Sequence, residues 1–321
     1  MKISWSQIQD ASMRAFKHYL NSVSQSGVTA TVYDEYRASG ARAALSAEDK
    51  AYVESQLMPE FQIEIDKIQN GTTGDFPSIQ IRDAAGQIAY STPTARRPVA
   101  TGEQAECILF KGWPGEDAGR IQIVVKPRET GRRFIKDLFD IAKASSIVGS
   151  WKVMNPVMGS TGPDSAVLYL LCPVGDQRVL TLLGLIRSKL ENSLDENCRT
   201  PLGLVKLHKG IFGLDLPPKK IQQECLGMRE VGTAGGVIAN IISKGAYYAA
   251  KYVLSQDPTK TLAINNILKE CVEQVLTEIG WGFSEGAAST FTSISTSSSS
   301  SSGAATTLAS SPATASSAMT L

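Results

Sequence analysis

Arg120-Ile121-Gln122-Ile123-Val124-Val125-Lys126-Pro127 is an apolar run of strand length that stops at a proline. A helix is predicted to follow it, with Phe134, Ile135, Leu138, Phe139 and Ala142 on its inward face. The pattern then returns. Val167-Leu168-Tyr169-Leu170-Leu171-Cys172-Pro173 is a second apolar run closed by a proline, and Val179, Leu182, Leu183, Ile186 and Leu190 mark a second helix behind it. A strand follows each helix, at residues 148 to 155 and 203 to 208. The order β-α-β-β-α-β predicts an α+β fold on a central split-βαβ sheet with two right-handed crossovers.

Outward from that centre, helices flank both ends. Ile8, Ala11, Ala15, Phe16, Tyr19, Leu20 and Val23 lie on one face of a helix predicted over 4–25. A second helix is expected over 46–69, started by the Ser46-x-x-Asp49 signal and broken or kinked at Pro59. Residues 78–82 and 87–91 alternate apolar and polar around Asp83-Ala84-Ala85-Gly86, the pattern of a hairpin, and 92–104 read as a polar connection. Two long helices are expected over 218–255 and 261–279. The second carries Leu262, Ile267, Leu268, Cys271, Val275, Leu276 and Ile279; the first contains Gly232, Gly235 and Gly236, each costing about 1 kcal/mol relative to alanine inside a helix. From Ser284 onward the chain is Ser, Thr and Ala with the single charge Glu285, too poor in apolar groups to offset its ordering entropy. The organisation expected is a helical region with a hairpin over 1–103, an α+β core with C-terminal helices over 104–283, and a disordered tail over 284–321.

At 321 residues the chain can bury a sizeable core, and 42% hydrophobic with 7% aromatic residues is ordinary for a globular protein. Lys plus Arg number 32 against 31 Asp plus Glu, so net charge offers no argument for nucleic acid. Cys107, Cys172, Cys198, Cys225 and Cys271 are odd in number and never in a C-x-x-C pair, which points to neither a disulfide framework nor zinc. His18 and His208 are the only histidines, which excludes a His-rich metal centre. The start, Met1-Lys2-Ile3-Ser4-Trp5, lacks a signal-peptide pattern, and no run approaches the ~18 apolar residues of a membrane span. The expectation is a cytoplasmic protein without a membrane partner, or one delivered into a host cell without a cleaved signal.

Chemistry concentrates on and beside the strands. Lys206 and His208, two apart on a strand, are expected to share a face, with Lys209 pointing away. With Lys152 on a neighbouring apolar strand they make a candidate site for holding an anion and moving a proton. The plainer reading of the same lysines is a charged strand edge that discourages edge-to-edge pairing. Arg128, Arg132 and Arg133 cluster where the first crossover helix begins, so Arg133 or Arg132 is a candidate phosphate contact or simply a solvated side chain. Gly232-Thr233-Ala234-Gly235-Gly236 has the composition of a phosphate loop, but follows no strand and is not followed by Lys-Ser/Thr. Lys219, Lys220 and Arg229 form a further basic group that either extends an anion groove or lies solvated.

Residues 120 to 230, about a third of the chain, resemble the HopA family of type III secreted effectors and their relatives in thioamitide and lanthipeptide biosynthesis. Four features carry the resemblance in order: the strand and helix Arg120 to Ala144; Lys152 on the next strand; Asp164-Ser165-Ala166-Val167-Leu168-Tyr169; and Pro201-Leu202 through Lys206 to Gly210 and Pro217. Two features depart from the family pattern. Gly162 and Pro163 stand where an Arg usually precedes the Asp, and the Ser-Phe-Gly-x-x-Arg segment appears only as Cys225-Leu226-Gly227-Met228-Arg229. The resemblance implies an α+β fold with cationic grooves. In the peptide-modifying relatives it also implies a lyase that removes phosphate from phosphoserine or phosphothreonine by β-elimination, with no metal or organic cofactor. Carried onto this chain, Lys152 or Lys206 is the base, His208 the acid, and Arg229, with Lys209 and Arg133, the phosphate-binding group. The partner is then a phosphorylated peptide or protein. The alternative is a non-enzymatic effector that binds a host protein through a basic groove, with a secretion chaperone on its N-terminal helices.

Overall fold

A computed structural model of the chain describes residues 1–21, 25–71, 78–83, 87–92, 105–112, 115–228, 233–256 and 262–284. The chain opens with a two-residue strand, β1 (Lys2–Ile3), and two helices, α1 (Trp5–Leu20) and α2 (Gln25–Ser39). α1 buries Ile8, Ala11, Ala15, Phe16 and Tyr19 of the expected stripe, but it ends at Leu20, which is exposed, and Val23 lies outside the described residues. α2 has no counterpart in the sequence reading. Its buried residues Val28, Val32 and Tyr36 recur every fourth position, but the β-branched Val28, Thr29, Thr31 and Val32 blunt the helical signal.

α3 (Ala47–Tyr52), a single π-helical turn (Val53–Leu57) and α4 (Met58–Gln69) form the next helical run. Ser46 caps it: its Oγ accepts a hydrogen bond from the Asp49 N–H at 3.0 Å. Pro59 falls in the first turn of α4, where its missing N–H costs little, and the π turn just before it absorbs the irregularity.

Strands β2 (Ser78–Asp83) and β3 (Ile88–Ser91) pair as the expected antiparallel hairpin. The turn residues 84–86 lie outside the described residues, as do 93–104 of the polar connection. β4 (Ala105–Lys111) and β5 (Gly119–Ile123) follow, then α5 (Arg132–Ala144), β6 (Val148–Met154), the short helix α6 (Pro156–Thr161), β7 (Ala166–Leu170) and α7 (Gln177–Leu190). β8 (Val205–His208) and β9 (Ile211–Asp215) form a hairpin, and α8 (Lys219–Leu226), α9 (Ala234–Leu254), α10 (Ile264–Glu278) and β10 (Gly282–Phe283) complete the described chain. The helix expected over 218–255 is thus two helices. Gly227, at φ 67°, ends α8 in the left-handed region that favours glycine, and Thr233 caps α9, so Gly235 and Gly236 lie in its first turn rather than in an interior. Gly232, Arg229 and the tail expected from 284 lie outside the described residues, apart from Ser284 itself.

β1 and β10 pair in parallel, and the other eight strands form one antiparallel sheet in the order β3-β2-β4-β6-β7-β5-β9-β8. The fold is therefore α+β with an antiparallel sheet flanked by helices, but not a simple split-βαβ unit. The run at 203–208 does not return to β5. β9 makes that pairing, and β8 turns back outside it as an edge strand. Gly210 makes the reversal at φ 62°, where a Cβ would fall 2.6 Å from the Val124 carbonyl oxygen. Each face of the sheet has its own core. Ile121, Ile123, Trp151, Val153 and Leu168 pack with α4, α5 and α7, whereas Phe212 and Leu214 pack with α1, α2, α9 and α10. Helices from both ends of the described chain thus share one core. β5 is buried along its whole length, because both of its faces are covered.

Candidate functional site

On the α2 side of this covered sheet three strands carry polar groups where apolar ones would be expected. The register aligns Lys152 of β6, Val167 of β7, Gln122 of β5 and Phe212 of β9 in one cross-strand row; Arg120 and Tyr169 face each other in a parallel row. Arg120 and Gln122 are both buried. Asp164, also buried, comes from the turn between α6 and β7.

Local hydrogen bonds fix that turn. The Asn155 Oδ1 accepts from the Met158 N–H at 2.8 Å, while its Nδ2 donates to the Ala105 carbonyl at 2.8 Å, tying α6 to β4. Ser165 donates to the Gly159 carbonyl at 2.7 Å and accepts from the Val125 N–H at 3.1 Å. Arg42, in the segment between α2 and α3, donates to Ser165 Oγ at 2.7 Å and to the Gly159 and Val125 carbonyls, each at 2.6 Å. The neighbouring Asp164 is thereby placed without freedom to follow its partners.

Those partners are two cations. Asp164 Oδ2 accepts from Arg120 Nη2 at 3.2 Å and lies 3.5 Å from Lys152 Nζ. The side chains are 4%, 20% and 9% exposed for Arg120, Lys152 and Asp164. Burial works against the Lys152 charge, but Asp164 and then Tyr169 outweigh it and hold the ammonium above the usual lysine range. Arg120 behaves alike: burial opposes its charge, and Tyr36, Tyr169 and Asp164 restore it. Its guanidinium also stands 5.8 Å from the centre of the Tyr169 ring. One carboxylate between two buried cations leaves an excess positive charge within this triad, while Glu54, Glu106 and Arg37 line the cleft beside it.

These groups line a cleft of about 840 Å³. Tyr36 of α2, Gln122, Gly235 of α9 and Glu106 of β4 contribute to its wall, and Met58, Met154, Met158 and Val157 make an apolar side. The Gln122 Nε2 donates to the Tyr36 hydroxyl at 2.8 Å. Among the described residues, Arg120 Nε and Gln122 Oε1 are buried without a hydrogen-bond partner. The arrangement suits an anion with several acceptor oxygens attached to a partly apolar body.

Of the catalytic and phosphate-binding candidates, Lys152 lies in this cleft, whereas Lys206, His208, Lys209 and Arg133 do not; of the glycine-rich run dismissed as a phosphate loop, Thr233 and Gly235 line it. Lys206 ends the same cross-strand row, but on β8, four strand spacings or roughly 19 Å from β6. The expectation that Lys206 and His208 share a face fails at a bulge. The register sets Lys206 opposite Phe212 and His208 opposite Ile211, which enter different cores. His208 Nε2 lies 3.0 Å from Glu191 Oε2, and Lys209 Nζ 3.1 Å from Glu191 Oε1. The bonds from His208 and Lys209 bring the Glu191 carboxyl down to about 2. Arg133 is 89% exposed on α5, 3.9 Å from Asp137, and Arg132 pairs with Glu64 at 2.8 Å. Arg229 lies outside the described residues.

Arg120, Gln122 and Tyr36 escaped the sequence reading. The first two left a signal: Arg120 and Gln122 alternate with Ile121 and Ile123, so a strand buried on both faces must carry two polar side chains on one of them. Tyr36 left none, since the β-branched residues of α2 mask the helical period around it.

Searches against protein-family models and curated proteins give no match. Among solved structures, an effector protein from Pseudomonas syringae pv. tomato strain DC3000 aligns with TM-score 0.48 and 15% identity, over 86% of this chain and 96% of its own. An effector protein from Pseudomonas syringae pv. syringae strain 61 aligns with TM-score 0.52 and 16% identity, over 87% of this chain and 94% of its own. What this chain shares with that effector of strain 61 is its fold.

Proposed function

We propose that the chain is a HopA-like effector whose cleft seats the phosphate of a phosphoserine or phosphothreonine on a peptide or host protein. The observation that supports this is the buried pair Arg120 and Lys152 sharing the single carboxylate of Asp164. A bound phosphate offsets the excess charge of the triad and adds charge-assisted hydrogen bonds, each contributing about 1.5–3 kcal/mol. The methionine wall accommodates varied apolar groups beside the phosphorylated residue, because thioether side chains adapt their shape.

A second reading is elimination of that phosphate. A base takes the Cα proton, its electron pair forms the Cα–Cβ double bond, and the Cβ–O bond breaks to release phosphate. Two cations at the leaving group favour that bond cleavage. Lys152 is held protonated, which suits a phosphate clamp better than a base, and His208 and Lys206 stand too far away to act on the same atoms. Binding without turnover is therefore the reading the geometry favours.

Titration calorimetry with a phosphothreonine peptide and its unphosphorylated twin tests binding. Mass spectrometry of the same mixture tests turnover through loss of phosphoric acid. Selective binding of the phosphorylated peptide that Lys152→Met abolishes is expected. Equal binding of both peptides would refute the phosphate seat, and loss of phosphoric acid would put the lyase reading first.

A further inference from the structure

Tyr36 projects from α2 against the sheet and is 4% exposed. Its ring stacks on that of Tyr33, with centroids 6.3 Å apart and planes 24° apart. It also lies against α9 where that helix has no side chain. A Cβ on Gly235 would fall 2.5 Å from Tyr36 Cδ1 and 2.6 Å from Cε1, closer than any such contact can be. Gly235 therefore makes the space in which the ring sits, and the ring's position delivers the hydroxyl to Gln122 and the cleft.

The hydrogen bonding of this hydroxyl is incomplete. It accepts from Gln122 Nε2, but no acceptor for its own proton occurs among the hydrogen bonds of the described residues. The buried Arg120 Nε and Gln122 Oε1 are likewise without partners. Buried polar groups of native proteins are nearly always satisfied, so unmet groups gathered around one cleft call for a ligand. Two of the three are donors, and the ammonium of Lys152 shares their cleft.

Building on the phosphate seat above, we propose that Tyr36 is a ligand-binding residue of the cleft, donating its hydroxyl proton to an oxygen of the bound phosphate. Gly235 is then a positioning residue that acts through the tyrosine ring. Burial is the main reason that the Tyr36 hydroxyl is pushed up to about 12, so it remains a donor throughout the physiological range. A neutral donor beside two cations adds hydrogen-bonding capacity without adding repulsion to the free protein. It also joins α2 to β5 through the ligand.

Tyr36→Phe keeps the ring on Gly235 and removes only the hydroxyl, so its thermal unfolding serves as a check on folding. Titrated with the phosphothreonine peptide, it is expected to bind about 10-fold or more weakly than the wild type, with no change toward the unphosphorylated twin. Gly235→Ala is expected to weaken binding by a similar factor, and Tyr36→Phe added to it should weaken binding little further. Undiminished binding by Tyr36→Phe, with binding lost in Lys152→Met, overturns the tyrosine's role and leaves the phosphate seat standing. Full multiplicative losses in the double variant remove Gly235 from the account. Absence of phosphopeptide binding by the wild-type protein overturns both proposals.

Discussion

Replacing Asp164 by Asn keeps the side-chain shape and deletes the one negative charge between Arg120 and Lys152. At 3.2 and 3.5 Å, and with an effective dielectric near 20, each ion pair is worth about 5 kcal/mol of Coulomb attraction before desolvation is counted. Desolvation cancels much of that in the intact site. It does not cancel in the variant, where both cations stay buried and face each other unscreened. Removing one partner of a buried pair typically costs about 3–5 kcal/mol. Lys152, at 20% exposure, relieves part of its charge toward water, so about 3 kcal/mol is the expected loss. Urea unfolding with an unchanged m-value measures it. Two further readouts make the argument specific. Lys152→Met added to Asp164→Asn should restore part of the lost stability, because it removes one of the opposed charges. Inorganic phosphate should raise the midpoint of Asp164→Asn more than that of the wild type, since the anion replaces the missing carboxylate. A loss below about 1 kcal/mol, or equal phosphate effects on the two proteins, would refute the excess-charge reasoning.

Two other substitutions probe the surroundings. Asp117 is raised to about 6 from the ordinary 3.8, chiefly by burial and then by Glu116. Its contribution to stability is present below about pH 4 and is lost as pH rises through 6, so Asp117→Asn should stabilise the protein at pH 7 by about 1 kcal/mol, discounted for partial exposure. The gain should vanish near pH 4 in thermal unfolding; a gain independent of pH would contradict it. Arg42→Lys should cost about 2–4 kcal/mol, because an ammonium cannot reach the Val125 and Gly159 carbonyls and the Ser165 hydroxyl together. It should also weaken phosphopeptide binding, as Ser165 holds the turn carrying Asp164; unchanged affinity would separate the two.

Much of the fold was legible because it rests on local signals. The Ser46 cap, the hairpin around residue 84 and the helices behind Pro127 and Pro173 follow from the nearest few residues. α2 was hidden by its β-branched residues, and β4 by the polar stretch that precedes it. The site was legible in one residue. Lys152 stands among apolar neighbours on a buried strand, and Arg120 and Gln122 on β5 had left the same kind of mark. Strict period two puts His208 on one face with Lys206, and one bulge in β8 breaks that parity.

By itself the sequence determined the strands and the two longer helices around residues 120 to 190, though not the short α6, since hydrophobic period and proline placement act over a few residues. Which strands lie side by side was decided by tertiary structure. Strand order selects among pairings that the local chain does not distinguish, and burial of a charge depends on what covers the sheet. Only folding brought Arg120, Lys152 and Asp164 from three segments to one oxygen, and set Tyr36 of α2 against Gly235 of α9 above them.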